Sequence, residues 1–243
     1  MMQRKLRVLI AFVIGAVLVL LILGYAVMNA RSFQFFGKLV THIETDQKIV
    51  YLTFDDGPTE KTPQILETLD ELDIKATFFL VGKEMEEYPE HTKAILDAGH
   101  DIGNHSYTHA RLVLKPYSKI KEEVDKTNAL IRGFGYKRDI YFRAPGCKKL
   151  FFLPWHLESI GQTSVIWTLE PETDKSISKD AQSIADHVVA NISEGGIILL
   201  HPMYGGTDKT LEAVTLIAEA LKDKGYTFET LSEGFARMQK SAA

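Results

Sequence analysis

The chain has 243 residues, 45% of them hydrophobic and 25% charged, with a formal net charge of −4. That fits one globular domain of roughly 200 residues plus an appendage, and the acidic balance gives no basic field for nucleic acid. A lone cysteine, Cys147, excludes an intramolecular disulfide framework and a cysteine-rich zinc knuckle.

The appendage is N-terminal. A basic flank, residues 1–7 with Arg4, Lys5 and Arg7, precedes an uncharged apolar stretch from Val8 to Ala30. At about 1.5 Å per residue this stretch spans a hydrocarbon core of ~30 Å. It is long for a signal-peptide core, and Met28-Asn29-Ala30 is a poor small-x-small cleavage site. Residues 8–30 therefore read as an uncleaved, single-pass signal anchor in the cell membrane. The basic flank stays in the cytoplasm and the domain lies outside; secretion after cleavage is the alternative. Residues 31–48 read as a stem and the approach to the first strand, and residues 49–240 as the domain.

Within the domain, Ile49–Phe54 reads as a strand that stops in Asp55-Asp56 and turns at Gly57-Pro58. Thr62-Pro63 is an N-cap and first-turn pair opening a helix to Leu72. Ala76–Val81 is a strand, and Pro89–Ala98 a helix ended by Gly99. A short strand, Asp101–Gly103, leads into His105. Ser118–Ile131 is a helix with charges on one face, Ile140–Phe142 a strand, and Pro154–Ile160 a helix ended by Gly161. Thr163–Trp167 is a strand, Lys179–Ile192 a helix, and Ile197–Leu200 a buried-type strand. Thr207–Lys224 is a helix ended by Gly225, and Tyr226–Thr230 the last strand. Such alternation implies parallel strands with helical crossovers, and about seven units point to an α/β barrel, complete or partly open.

The polar residues obey one rule. Asp55 and Asp56, His105 and His109, Arg143, Glu170 and His201 each stand just past the C-terminal end of an expected strand. In a β/α barrel those ends converge on one face. Adjacent carboxylates repel, so a metal, a base role for one of them, or full solvation must relieve them. His105 and His109 are four apart and project from one side of a helical turn. With one aspartate they make three ligands for a divalent ion such as zinc and leave a position for water, whose pKa falls towards ~7. The other aspartate is then free to act as base, with Arg143 pairing it and holding it ionised. His201 can protonate a leaving group, and the Gly146 N–H can bind an oxyanion. Each feature has a bland reading as a turn, a surface pair or a cap, but those readings would all have to coincide. Cys147 beside Arg143 suggests a thiol nucleophile, which a metal site does not need. His42, His91, His100, His156 and His187 have no comparable setting.

From about Thr41 to Phe235 the chain resembles the polysaccharide deacetylases of carbohydrate esterase family 4, which carry a NodB homology domain. Thr53–Pro58 matches the family's first motif, which implies Asp55 as base and Asp56 as metal ligand. His105–His109 matches the second and implies both histidines as ligands. Arg143-Ala144-Pro145-Gly146 resembles the third, with an arginine that orients the base and a last position, Gly146, that gives the oxyanion N–H. Ile198-Leu199-Leu200-His201 matches the fifth, with Leu199 against the acetyl methyl and His201 as acid. The resemblance implies a distorted (β/α) barrel and one divalent metal, zinc first, then cobalt or another ion. It also implies removal of N-acetyl groups from N-acetylglucosamine units of peptidoglycan or a chitin-like glycan.

Two positions depart from the pattern. Gly146 stands where many members have tyrosine. The fourth motif carries an aspartate and a tryptophan, and Trp167–Asp174 has no tryptophan at the expected place; Glu170, Glu172 and Asp174 are all candidates to support His201. Two further functions remain open at this level: O-acetyl ester removal or sugar deformylation on the same site, and a non-catalytic glycan-binding domain.

Overall fold

In a computed structural model, which describes residues 2–204 and 208–241, the expected alternation closes into a distorted barrel. Helix α1 (Met2–Asn29) precedes it and has no buried residue; it is long and apolar enough to cross a membrane. Then follow β1 (Leu39–Val40), β2 (Ile49–Asp55), α2 (Thr62–Glu71), β3 (Thr77–Leu80), α3 (Gly82–Glu87), α4 (Pro89–Asp97), β4 (Asp101–Asn104) and α5 (Tyr117–Gly133). After a single 3₁₀ turn, Pro145–Cys147, come α6 (Phe152–Ser159), β5 (Ser164–Val165), α7 (Ala181–Asn191), β6 (Ile197–Leu200), α8 (Asp208–Asp223), β7 (Thr227–Phe228) and α9 (Leu231–Ser241).

The parallel order β4-β3-β2-β6 forms the continuous wall, with β7 paired to the start of β2. Single bridges close the ring: Asn104 to Phe142, Phe142 to Ser164, and Leu169 to Ile198. Here the structure departs from the sequence reading. Ile140–Phe142 is no strand, because only Phe142 sits in register between its neighbours, while Tyr141 turns inward to stack on Phe235 at 4.4 Å. Thr163–Trp167 narrows to β5, because the Val165 and Ile166 carbonyls accept from the Arg143 guanidinium (3.2 and 3.3 Å). Thr62 is not the N-cap of α2. Lys61 holds that place with helical dihedrals, and the Thr62 hydroxyl accepts from the Thr59 N–H at 3.0 Å. The expected start of α8, Thr207, lies outside the described residues.

Every residue of β2 is buried, as a strand enclosed on both faces must be. Its alternation sorts two cores. Val50, Leu52 and Phe54 face outward with Phe78, Leu80, Ile198 and Leu200, and pack under helix residues such as Ile65, Leu69, Val214 and Ile217. Ile49 and Tyr51 face inward with Phe79, Val165 and Ile197, where Leu231 and Phe235 of α9 plug the lower end. The wall is tight there: a Cβ on Gly103 would stand 2.5 Å from the Phe79 ring. The same inward alternation carries Thr53, Asp55 and Leu199 to the upper end, with Thr53 and Leu199 in register. The barrel thus has an apolar floor and a polar mouth.

Candidate active site

Strand alternation alone would turn Asp56 to the outer face. Instead its φ of 69° breaks the strand, and Oδ1 of Asp56 comes 3.1 Å from Nε2 of His109 and 3.7 Å from Nε2 of His105. Gly57 continues the left-handed turn at φ 75°, where a Cβ would meet Met203 Sδ at 2.8 Å. Glycine alone satisfies both constraints.

Asp55 and Arg143 form a buried ion pair at 2.6 Å. The guanidinium also donates to Thr53 Oγ1 at 2.9 Å and lies over the Phe79 ring at 4.0 Å. Thr53 in turn donates to the Ile198 carbonyl at 2.8 Å. Burial pushes the Asp55 carboxyl up, but Arg143, then His105 and His201, outweigh it and hold the group below the ordinary aspartate range.

His105 and His109 do not share a helical turn. They flank an irregular loop with positive φ at Ser106 (66°) and His109 (57°), yet their ring centroids are 5.0 Å apart. A carboxylate that sequence reasoning missed holds the loop. Glu123 is fully buried and accepts from the N–H groups of Tyr107 (3.0 Å) and Thr108 (2.8 Å) and from the Thr108 hydroxyl (2.8 Å). Its signal was present: Ile120, Glu123, Val124, Thr127 and Ile131 make the buried stripe of α5, and an acid in such a stripe needs buried partners. Asn104 adds a second tie, accepting from the Ser106 N–H at 2.8 Å.

The donor set suits a divalent cation. Among the described residues, Asp56, His105 and His109 form a group whose ligand atoms lie within 4.8 Å of one another. Nδ1 of His105 faces the Arg143 carbonyl at 2.8 Å. A carbonyl only accepts, so Nδ1 carries the hydrogen and Nε2 keeps its lone pair for the site. Asp56 Oδ1 is buried and has no hydrogen-bond partner among the described residues, which is the unmet need a cation fills.

His201 follows β6 and finds its partner in Glu172. Oε2 of Glu172 faces His201 Nδ1 at 3.0 Å and accepts from the His201 backbone N–H at 2.6 Å, while Oε1 accepts from the Thr210 hydroxyl at 2.5 Å. Of the three acids that could have played this part, Glu170 is turned back on Thr173 and Asp174 on Ser176. Burial opposes the charge on His201, but Glu172, Asp55 and Asp56 override it and push its pKa up to about 9.

The remaining sequence candidates are easily located. Gly146 is exposed at φ 58° in the 3₁₀ turn after Arg143, where a Cβ would meet nothing nearer than 3.9 Å. Leu199 is buried on the inner face one residue below the Leu200–His201 corner. Cys147 is also buried, which pushes its thiol up and outweighs the opposing charges of Lys149, Arg31, Lys148 and Arg143; a thiol held up in this way is a poor nucleophile. His100 and His156 are buried with structural partners, the Ala76 N–H and Asp125. Beside the Asp56–Pro58 turn lies a groove of about 500 Å³ lined by Thr59, Glu84, Tyr88, Met203 and Tyr204, among others.

Comparison with known proteins gives a consistent picture. Residues 42–152 match the family model described as polysaccharide deacetylase. Over 200 residues the chain is 32% identical to a peptidoglycan-N-acetylglucosamine deacetylase of Bacillus cereus, covering 81% of this chain and 92% of that one. A chitooligosaccharide deacetylase of Rhizobium leguminosarum bv. trifolii is 30% identical over 202 residues, covering 78% and 93%. Among solved structures, a peptidoglycan N-acetylglucosamine deacetylase crystallised with a naphthalenyl hydroxamate superimposes with a TM-score of 0.74 at 32% identity, covering 79% of this chain and 90% of that one.

The Glu123 tie makes a prediction. Glu123→Ala frees the Tyr107 and Thr108 N–H groups and loosens the histidine loop without touching a candidate ligand. Affinity for a divalent ion should fall about 10–100-fold, read by competition with a chelating dye. Unchanged affinity in a folded variant would show that the loop holds its shape without the carboxylate.

Proposed function

The chain belongs to the polysaccharide deacetylase family, carbohydrate esterase family 4, and from that premise we propose that it hydrolyses the N-acetyl amide of N-acetylglucosamine units in a cell-envelope glycan. Asp56, His105 and His109 hold one divalent cation, zinc first. The domain works outside the cell on an uncleaved α1 anchor. The observation that carries the reading is the juxtaposition of the Arg143-paired Asp55 with that three-ligand cluster.

The cation, when bound, supplies Lewis acidity to the attacking water and to the acetyl carbonyl. The residues do the rest. Asp55 takes the water's proton; Arg143 keeps it ionised and fixes its orientation, so that one oxygen is spent on the guanidinium and the other faces the site. The tetrahedral carbon's oxyanion takes the Gly146 N–H. Leu199 offers the acetyl methyl an apolar wall, which admits a small acyl group and excludes a charged one. His201 delivers the proton that lets the amine leave. With Nδ1 turned to Glu172, Nε2 is the nitrogen free to deliver it. Tyr88 and Tyr204, beside the groove, offer aromatic surface to sugar rings. An amide leaves as an amine that must be protonated, whereas an activated ester does not, so a histidine held charged by Glu172 favours the amide reading.

Asp55→Asn tests the base. Acetate release from peptidoglycan fragments or N-acetylglucosamine oligomers should fall about 10²–10⁴-fold while the metal stays bound. Loss of metal in this variant and its retention in Asp56→Asn would exchange the two roles.

Glu172→Gln tests the acid. The working form of His201 is protonated, so activity falls as pH rises through its pKa. Glu172 raises that pKa. A cation at Asp56 opposes the rise, but the glutamate's contribution keeps its sign. The falling limb of kcat against pH should therefore move to lower pH in the variant, for the amide substrate and not for an activated ester. A limb that stays in place would assign the limb to another group.

A further inference from the structure

The end of α1 is tied to the domain through Lys148 and Lys149. The Lys149 N–H reaches the Met28 carbonyl at 3.4 Å, the Lys148 ammonium meets Asn29 Oδ1, and the Lys149 ammonium meets the Ala30 carbonyl. Beside this knot lies a run of solvent-facing rings. Phe33, Phe35, Phe151, Phe152 and Trp155 are each between 42% and 49% exposed. They touch in sequence: Phe33 to Phe35 at 5.5 Å, Phe35 to Phe151 at 6.2 Å, Phe151 to Phe152 at 5.6 Å and Phe152 to Trp155 at 6.4 Å between centroids. The rings come from two separate segments, the stem after α1 and the start of α6. Local sequence alone therefore does not account for the patch. A domain in water has no use for five half-exposed rings in one place, and such a patch marks an interaction surface.

We propose that this belt seats in the headgroup layer of the same bilayer that α1 crosses, so that the domain lies against the membrane and does not swing on a leash. The proposal rests on reading α1 as an uncleaved anchor. Continuity identifies the occupant. Residues 30–32 alone separate α1 from Phe33, and the Lys148–Lys149 knot holds the helix end to the segment that begins Phe151-Phe152. Tryptophan concentrates at that depth of a bilayer, and phenylalanine beside it supplies the apolar face that interfacial segments bury there. The belt also positions the site. The 3₁₀ turn that carries Gly146 runs directly into Lys148 and Lys149, so the rim of the mouth that includes Gly146 sits beside the belt.

The full-length protein in lipid vesicles tests this. The chain has two tryptophans, and Trp155→Phe leaves Trp167 as background. With a nitroxide on the lipid headgroup, the Trp155 component, taken by difference, should lose about half or more of its emission, as a ring at headgroup depth must. An unquenched difference signal in protein shown intact by mass spectrometry overturns the proposal. Relief of quenching by soluble N-acetylglucosamine oligomers also overturns it, because the belt would then be a glycan platform. Recovery of a soluble chain beginning near Arg31 defeats the anchor reading alone. The belt is then judged on that released chain. Co-sedimentation with vesicles that is lost in a Phe151→Ser, Phe152→Ser variant supports the belt, and failure to co-sediment sinks it.

Discussion

The buried pair of Asp55 and Arg143 is the constraint on which the site depends. A guanidinium taken out of water must have its donors met, and here they are met by the Asp55 carboxylate, the Thr53 hydroxyl and the Val165 and Ile166 carbonyls. Those partners come from β2 and from the end of β5, so the side chain stitches opposite walls of the barrel at its mouth. The backbone of the same residue acts too. The Arg143 carbonyl receives His105 Nδ1 and thereby decides which nitrogen faces the site. One residue thus fixes the state of the proposed base with its side chain and the tautomer of a proposed ligand with its main chain.

A second carboxylate–cation pair, Glu172 with His201, follows the neighbouring strand β6 and has the opposite bias. At Asp55 the fixed positive charge of arginine lowers a carboxyl; at His201 a fixed negative charge raises an imidazole. Two groups whose environments push them apart in this way can hold the deprotonated and protonated forms at one pH. The division of labour proposed for the amide follows from that separation.

Much of this was legible in the sequence because it rests on strand ends. Ile197–Leu200 forms the strand expected, and, Glu170 excepted, the residues placed just past expected strands did gather at one mouth. The barrel class, too, followed from alternation. What was not legible depends on contacts between distant segments. His105 and His109 look like a helical i, i+4 pair, but a loop pinned by Glu123 brings them together. Glu172 is separated from Glu170 and Asp174 only by which one meets Thr210 and His201 in space. The ring closes through isolated bridges at Phe142 and Leu169, which no hydrophobic run announces. Helix α9 was different, since its signal was readable: Thr230 and Glu233 form a capping box, with the Thr230 N–H and hydroxyl on Glu233 Oε2 at 2.8 and 2.9 Å.

The two halves of the site differ in how they can be lost over evolutionary time. Removing Asp55 strands a buried cation at a cost of about 3–5 kcal/mol, a large share of the ~5–15 kcal/mol that holds a domain together. His109, whose side chain is 44% exposed, can be exchanged with little effect on the fold. A lineage drifting towards inactivity would therefore shed the exposed proposed ligand first and exchange the aspartate for an apolar residue only together with its arginine. A stable relative that keeps the arginine beside an apolar side chain would contradict that order. The ion pair that organises the mouth is in this sense also a ratchet, preserving the proposed base by making its loss a matter of folding.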